Sequence, residues 1–231
     1  MNIHNIVNIM ENDTEIFNIL KNCPYEILKQ WEIEDYPEET VVCRQGEIYD
    51  YFYIIVSGLA DIYITAENGK KYSQAVYSKG NYIGELEIFE EKPYICSVQA
   101  LTQIRLLVLR REYFLKWIEM DKNINSYMLQ TLCSQFYRLS QKAGEDTLHS
   151  LKQRVCKYLI NSGNGKTKCE NQVIVNIEKE QLSEKFAVTQ RSINRILQYL
   201  KEKDIIDVNS TYIIIKDIDE LKKEEEKSRS E

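Results

Sequence analysis

Residues 177–206 read IEKEQLSEKFAVTQRSINRILQYLKEKDII, two short amphipathic helices with a tight break between them. In the first, Leu182 and Phe186 stand four apart and share one apolar face. Ala187-Val188 makes the break. Thr189 can then cap a second helix, its hydroxyl accepting from backbone N–H groups of the first turn. There Ile193, Ile196, Leu197 and Leu200 recur at helical spacing and face inward. That leaves Gln190, Arg191, Asn194 and Arg195 outside, with Ser192 beside them. Such a face suits a DNA major groove, because Arg and Gln donate to guanine and adenine edges while hydroxyls and helix N-termini hold phosphates. The bland alternative is a surface helical hairpin whose charges only solvate it. The residues that follow favour the first reading. Asp204–Asp207, then Asn209-Ser210, then Tyr212–Ile215 read as a β-hairpin, and a hairpin closing a helix pair makes a winged helix-turn-helix.

Working outward, 231 residues suffice for two ordinary domains, each burying a core. Charge is unevenly spread: residues 1–149 carry 14 basic and 22 acidic side chains, residues 150–221 carry 12 and 10. A net charge of −6 argues against indiscriminate coating of nucleic acid. An acidic half joined to a mildly basic one fits site-specific binding by a small basic patch. No apolar run approaches the roughly 18–20 residues of a membrane span. The start, MNIHNIVNIMENDTEIF, lacks the basic end and cleavage site of a signal peptide. The expectation is a cytoplasmic protein without a membrane partner, its thiols reduced. Cys23, Cys43, Cys96, Cys133, Cys156 and Cys169 are scattered with no CxxC pair, and only His4 and His149 accompany them. Zinc and iron–sulfur sites show closer ligand spacing, so buried structural thiols are expected and no metal. An enzyme is not expected either: no nucleophile–base pair stands out, and GNGK at 163–166 lacks the spacing and hydroxyl of a P-loop.

Residues 1–35 read as helical, through Ile16, Phe17, Ile19 and Leu20, then Ile27, Leu28 and Trp31. From Pro37 to about residue 110 short runs rich in Val, Ile and Tyr are punctuated by single glycines. Thr40–Cys43, Tyr51–Val56, Ala60–Thr65, Lys71–Tyr77, Ser97–Ala100 and Ile104–Leu109 are the predicted strands of a small sandwich or barrel. Glu67-Asn68-Gly69-Lys70 is a hairpin turn, read as a two-residue Asn-Gly loop. From Arg111 to Lys142 the period turns helical, with Ile124, Met128, Leu132, Phe136 and Leu139 as a stripe flanked by Trp117 and Met120. The stripe packs on its own domain or, sustained over this length, joins two copies; a dimer suits readers that bind two half-sites one helical turn apart. Gly144-Glu145-Asp146 marks a hinge, Leu148–Ser162 a further helix, and Gly163-Asn164-Gly165 a turn. The closing charge run is expected to be disordered.

This order of β-roll, long helix and winged helix-turn-helix resembles the Crp/Fnr superfamily of bacterial transcription regulators over nearly the whole chain. VCRQGEIYDYFYIIVSG, 42–58, is similar to the family's early glycine signature, with Gly46 and Gly58 in place and Tyr49 where nucleotide binders carry a small residue. GNYIGELEIFEEKPYICSVQALT, 80–102, resembles the phosphate-binding cassette. In the helix-turn-helix, Gln190, Arg191 and Arg195 match base-reading positions, and Ala187 replaces the usual turn glycine at modest strain. The resemblance implies an α+β chain: a double-stranded β-helix sensor at 1–110, a dimerisation helix at 111–143, a winged helix-turn-helix at 148–221 and a tail at 222–231.

In the family a cyclic nucleotide is held by backbone N–H groups, a glutamate on the ribose and an arginine on the phosphate. Gly84 and Glu85 match the first two, with Leu86 and Cys96 in the same cassette. The arginine position falls on Tyr94 or Ile95, neither of them cationic. A buried phosphate lacking that partner loses a contact worth about 1.5–3 kcal/mol. Leu139 and Ser140 stand near where an adenine would rest. Cyclic AMP is therefore not the expected effector; the sensor has another, or none. An iron–sulfur cluster, held in the oxygen-sensing branch by N-terminal cysteines, is not expected with Cys23 alone there. Haem ligated by His4, His149 or a Cys, Met or Tyr stays open, as does a regulatory thiol at Cys96 or Cys133. The eight tyrosines of the β domain either line a pocket for an aromatic or peptide-like ligand or are ordinary strand residues.

The expected function is a homodimeric, sequence-specific DNA-binding regulator. Arg191 and Arg195 read base edges with Gln190 and Asn194, and Lys179, Thr189 and Ser192 position phosphates. Its partners are a palindromic duplex, a second copy and, for an activator, RNA polymerase. The rival reading is a ligand-binding module that no longer touches DNA.

Overall fold

Three helices, α1 (Ile3–Asn12), α2 (Thr14–Leu20) and α3 (Tyr25–Leu28), precede eight strands in the computed structural model, which describes residues 3–163 and 173–227. The chain divides into two units, Met1–Ser134 and Gln135–Glu231. The strands are β1 (Glu32–Tyr36), β2 (Val41–Cys43), β3 (Tyr51–Ser57), β4 (Ala60–Thr65), β5 (Lys71–Tyr77), β6 (Tyr82–Ile83), β7 (Ser97–Ala100) and β8 (Ile104–Arg110). They form two four-stranded sheets, ordered β1-β8-β3-β6 and β2-β7-β4-β5, with every pairing antiparallel.

The period of two explains the apolar run at β3. Phe52 and Ile54 point to a core shared with Trp31, Phe114 and Trp117, while Tyr53 and Ile55 point to the core between the sheets with Val98, Leu106 and Val108. Both faces are covered, so the strand is apolar throughout. Gly58 follows it at φ +90, and a Cβ there would strike the Gln103 carbonyl.

All six predicted strands form. β1 corrects the helical reading of 1–35: EIEDY pairs along its whole length with β8, from Glu32 opposite Val108 to Tyr36 opposite Ile104. The 67–70 turn is corrected too. Ala66 and Lys70 close it (Ala66 N–H to the Lys70 carbonyl, 2.9 Å), which leaves a three-residue loop in which Gly69 alone takes a positive φ.

The helical region from Arg111 is two helices, α4 (Arg111–Met120) and α5 (Lys122–Leu148). Asp121 breaks them and is nearly buried: its carboxylate accepts from Trp117 Nε1 at 3.0 Å and from the Asn123 N–H at 2.8 Å, which caps α5. The expected hinge at Gly144–Asp146 is instead helical, since one glycine costs a helix only about 1 kcal/mol. The chain breaks at His149-Ser150, where the Ser150 hydroxyl caps α6 (Leu151–Gly163) by accepting from the Gln153 N–H.

The second unit continues with β9 (Val173–Asn176), α7 (Lys179–Lys185), α8 (Gln190–Glu202), β10 (Ile206–Val208), β11 (Tyr212–Ile215) and α9 (Ile218–Lys227). β10 and β11 are the expected wing, and β9 adds a third strand against β11. Val155, Leu159, Val175, Leu182, Ile193, Leu197, Leu200, Ile213 and Leu221 share one core. The charge run expected to be disordered is helical as far as Lys227, because Leu221, Glu224 and Glu225 are buried. Asn164 and Gly165 of the predicted turn, Cys169 and residues 228–231 lie outside the described residues.

Candidate functional site

The turn between α7 and α8 is built as the sequence requires. After the C-cap Phe186, Ala187 adopts φ +52, its N–H bonding to the Glu184 carbonyl, and the Val188 N–H reaches back to the Ser183 carbonyl at 3.0 Å. That pair of bonds is a Schellman stop with alanine in the place glycine prefers. Thr189 caps α8, its hydroxyl accepting from the Ser192 N–H at 3.2 Å and lying 3.0 Å from the Ser192 hydroxyl. Ile193, Leu197 and Leu200 are buried and Ile196 half-buried, which fixes the rotation of α8.

That rotation exposes Thr189, Gln190, Arg191, Asn194 and Arg195, with Ser192 half-buried. Lys179, at the start of α7, joins Arg191, Asn194 and Arg195 in lining one groove of about 440 Å³. Leu197, Gln198, Lys201 and Val208 complete its walls. Thr189, Gln190 and Ser192 lie at the N-terminal end of α8, outside the groove lining. Gln198 and Lys201 were missed in the sequence; their spacing from Arg191 and Asn194 (seven residues each, two helical turns) was the available signal. Among the described residues no acidic side chain engages Arg191 or Arg195, whereas Lys201 is paired with Asp207 at 2.9 Å. Two free guanidinium groups on an exposed helix face can meet phosphate oxygens or guanine edges bidentately.

The stripe proposed for dimerisation splits between two faces of α5. Ile124 (0 % exposed) and Met128 (4 %) belong to the core of the first unit and are not available to a partner, which corrects their assignment. Leu129, Phe136 and Leu139 are exposed, Phe136 at 73 %, and Leu132 is half-buried. With Ala143 these run at alternating spacings of three and four, the heptad seam of a coiled coil. The mixed stripe arose because periods of 3.5 and 3.6 coincide over two turns and part over four.

In the cassette, residues 84–91 form turns with no regular helix. Gly84, Glu85 and Tyr94 are buried and Cys96 half-buried, while Leu86 (59 % exposed) and Ile95 (58 %) face outward. Leu86 and Ile95 are therefore not lining an interior pocket. Leu139 and Ser140 are exposed on α5 and fall in the second unit. Burial pushes the Glu85 carboxyl up to about 8, its own backbone N–H offsetting this only in part and Glu87 adding to it; the group is largely uncharged at neutral pH. The Glu87 carboxylate accepts from the Ile95 N–H at 3.2 Å.

Burial also raises the thiols of Cys23, Cys43 and Cys156 to about 12 and that of Cys96 to about 11. The Cys96 thiol donates to Gln74 at 3.1 Å, an arrangement that keeps it protonated and unreactive at neutral pH. Cys133 is exposed on α5. Among the described residues no three His, Cys, Asp or Glu side chains converge in a way that would hold a metal ion, and no described helix is long and apolar enough to cross a membrane.

Residues 33–121 match the family described as cyclic nucleotide-binding domain, and residues 153–224 match the Crp-like helix-turn-helix domain. A CRP-like cAMP-activated global transcriptional regulator of Mycobacterium tuberculosis is 23 % identical over 198 residues, covering 84 % of this chain and 88 % of that one. An anaerobic regulatory protein of Bacillus subtilis is 24 % identical over 216 residues, 91 % of this chain and 90 % of the other. Among solved structures, the c-di-GMP responsive global regulator CLP of Xanthomonas campestris superposes with a TM-score of 0.73 at 14 % identity, covering 87 % of this chain and 98 % of that one. A CRP/FNR-family regulator from Thermus thermophilus superposes with a TM-score of 0.68 at 18 % identity, covering 85 % and 100 %.

Proposed function

The chain belongs to the Crp/Fnr superfamily of transcription regulators, and from that premise we propose that it acts in the cytoplasm as a homodimer that reads a palindromic duplex and does not answer to cyclic AMP. The observation that carries the DNA reading is the unpaired Arg191 and Arg195 in one groove with Lys179. In this reading both arginines take base edges, Gln190 and Asn194 assist, and Lys179, Thr189 and Ser192 hold phosphates. Phosphate contacts fix register while the arginines carry sequence preference. The seam of exposed Leu129, Phe136 and Leu139 with half-buried Leu132 joins two copies, placing two α8 helices on half-sites about 34 Å apart. RNA polymerase is the further partner if the protein activates.

In this reading the cassette positions that match the family's arginine offer a phosphate no cation. Glu85 is buried, and neither Tyr94 nor Ile95 supplies a positive charge. No haem, iron–sulfur cluster or other cofactor is part of this reading.

Selection of bound duplexes from a random library, with protein purified free of ligand, tests it: a two-fold symmetric enriched site is expected. On that site Arg195→Ala should cost about 1–3 kcal/mol at fixed salt and leave dimerisation intact. Unchanged affinity would sink the assignment of Arg195.

A further inference from the structure

Two departures from the nucleotide-binding pattern, Tyr49 and Tyr94, lie 45 residues apart in sequence, and the fold brings them into contact. Their rings meet edge to face, centroids 5.1 Å apart. Tyr94 is 4 % exposed and belongs to the core between the sheets. Its main chain is pinned on both sides, the N–H to the Glu47 carbonyl at 2.9 Å and the carbonyl to the Gly46 N–H at 2.8 Å. Tyr49 is anchored as well: its hydroxyl donates to Glu47 at 2.7 Å and accepts from the Arg44 N–H at 3.0 Å.

The Tyr94 hydroxyl enters the cassette itself. Gly84 sits at φ +95, and a Cβ on it would lie 2.5 Å from that hydroxyl. The missing side chain of the cassette glycine is thus filled by the protein's own tyrosine. The hydroxyl is buried beside the Cys43 thiol and makes no hydrogen bond of ordinary geometry. A buried hydroxyl with no more than a thiol beside it adds little to stability, so what holds Tyr94 here is the fit of its ring.

We propose that the Tyr94–Tyr49 pair is a built-in plug occupying the space beside Gly84-Glu85 that a cyclic nucleotide would need. Exclusion then acts through volume as well as charge, and the β-roll is held together by its own aromatic pair where relatives of that fold would use a ligand. The inference rests on the reading that cyclic AMP is not the effector, and it adds the physical cause. It also names what the emptied site would accept: a small phenol, since deleting a buried ring leaves a cavity of that ring's shape.

The test uses the full-length protein and follows tryptophan fluorescence during heating, because Trp31 and Trp117 both lie in the core of the first unit. Tyr94→Ala should melt roughly 8 °C or more below wild type, and millimolar p-cresol should restore at least half of the loss. Tyr94→Phe, which keeps the ring, should melt within about 2 °C of wild type. Neither p-cresol nor cyclic AMP should move the wild-type transition. Stabilisation of wild type by cyclic AMP would overturn the proposal, as would a Tyr94→Ala protein that melts like wild type or ignores p-cresol. Should Tyr94→Ala not fold, Tyr49→Ala, whose ring is only half-buried, carries the same p-cresol test. Failure to enrich any duplex in the selection above would count against the DNA reading and leave these melting results standing.

Discussion

Glu224 offers the sharpest test of how the second unit is held. Its carboxylate is fully buried, yet it collects Lys152 at 2.6 Å, Lys203 at 2.7 Å and the Tyr199 hydroxyl at 2.9 Å. The two ammonium groups also stand over the Tyr199 ring, 4.5 and 4.7 Å from its centroid. Burial alone would raise this carboxyl, but the hydrogen bonds from Lys152, Lys203 and Tyr199 outweigh it and hold the group at about 2. Against an ordinary glutamate near 4.5 that depression is worth about 3 kcal/mol at neutral pH. Both lysines are partly exposed, 25 % and 42 %, so screening reduces the figure to about 2 kcal/mol. The sign follows from the lowered folded value: the stabilisation is complete above pH 4.5, declines below it and is gone once the pH falls through 2. Glu224→Gln keeps the shape and removes the charge. It should lose about 2 kcal/mol at pH 7, and the gap to wild type should close as the pH drops from 4.5 toward 2. Urea unfolding followed by far-UV circular dichroism measures the gap. Tryptophan fluorescence, which reports on the first unit because both tryptophans lie there, is followed in parallel. A difference below about 0.5 kcal/mol at pH 7, or one that persists unchanged at pH 2, would refute the reasoning.

Ala187→Gly should stabilise the second unit by up to about 1 kcal/mol, since relief of the positive φ exceeds the added freedom of the unfolded chain; a lower melting temperature would contradict the strain assigned to the turn. Phe136→Lys should leave the fold intact and shift the protein to monomer in light scattering, because that side chain is 73 % exposed in the single chain. A dimer that survives this charge would place the interface elsewhere than on α5.

The helix-turn-helix was legible because every decision in it is local. A helical period, a cap hydroxyl and a turn residue each depend on neighbours within about four positions, so Thr189, Ala187 and the inward face of α8 could be read directly. The six strands were legible for the same reason, through their runs of Val, Ile and Tyr between glycines. Where the outcome hinged on a distant partner, the sequence was silent or misleading. β1 looked like an end of a helical region, and pairing with β8, some seventy residues on, made it a strand. The charge-rich end looked unable to pay for its own ordering, yet Leu221 and Glu224 find their partners on α6 and α8.

Within the candidate sites the division is the same. The sequence by itself determined which side chains α8 presents, because a 3.6-residue repeat and one apolar face leave no other rotation. It did not determine which apolar residues of α5 are spent on the first unit's core and which are left free; that required Trp31, Phe114 and Trp117 to be in place around Ile124 and Met128. Nor could it place Tyr94 against Gly84 and Tyr49. The sequence shows two bulky residues at separate positions, Tyr49 in the glycine signature and Tyr94 in the cassette, and only the closed pair of sheets, by fixing distances between segments far apart in the chain, sets one ring against the other.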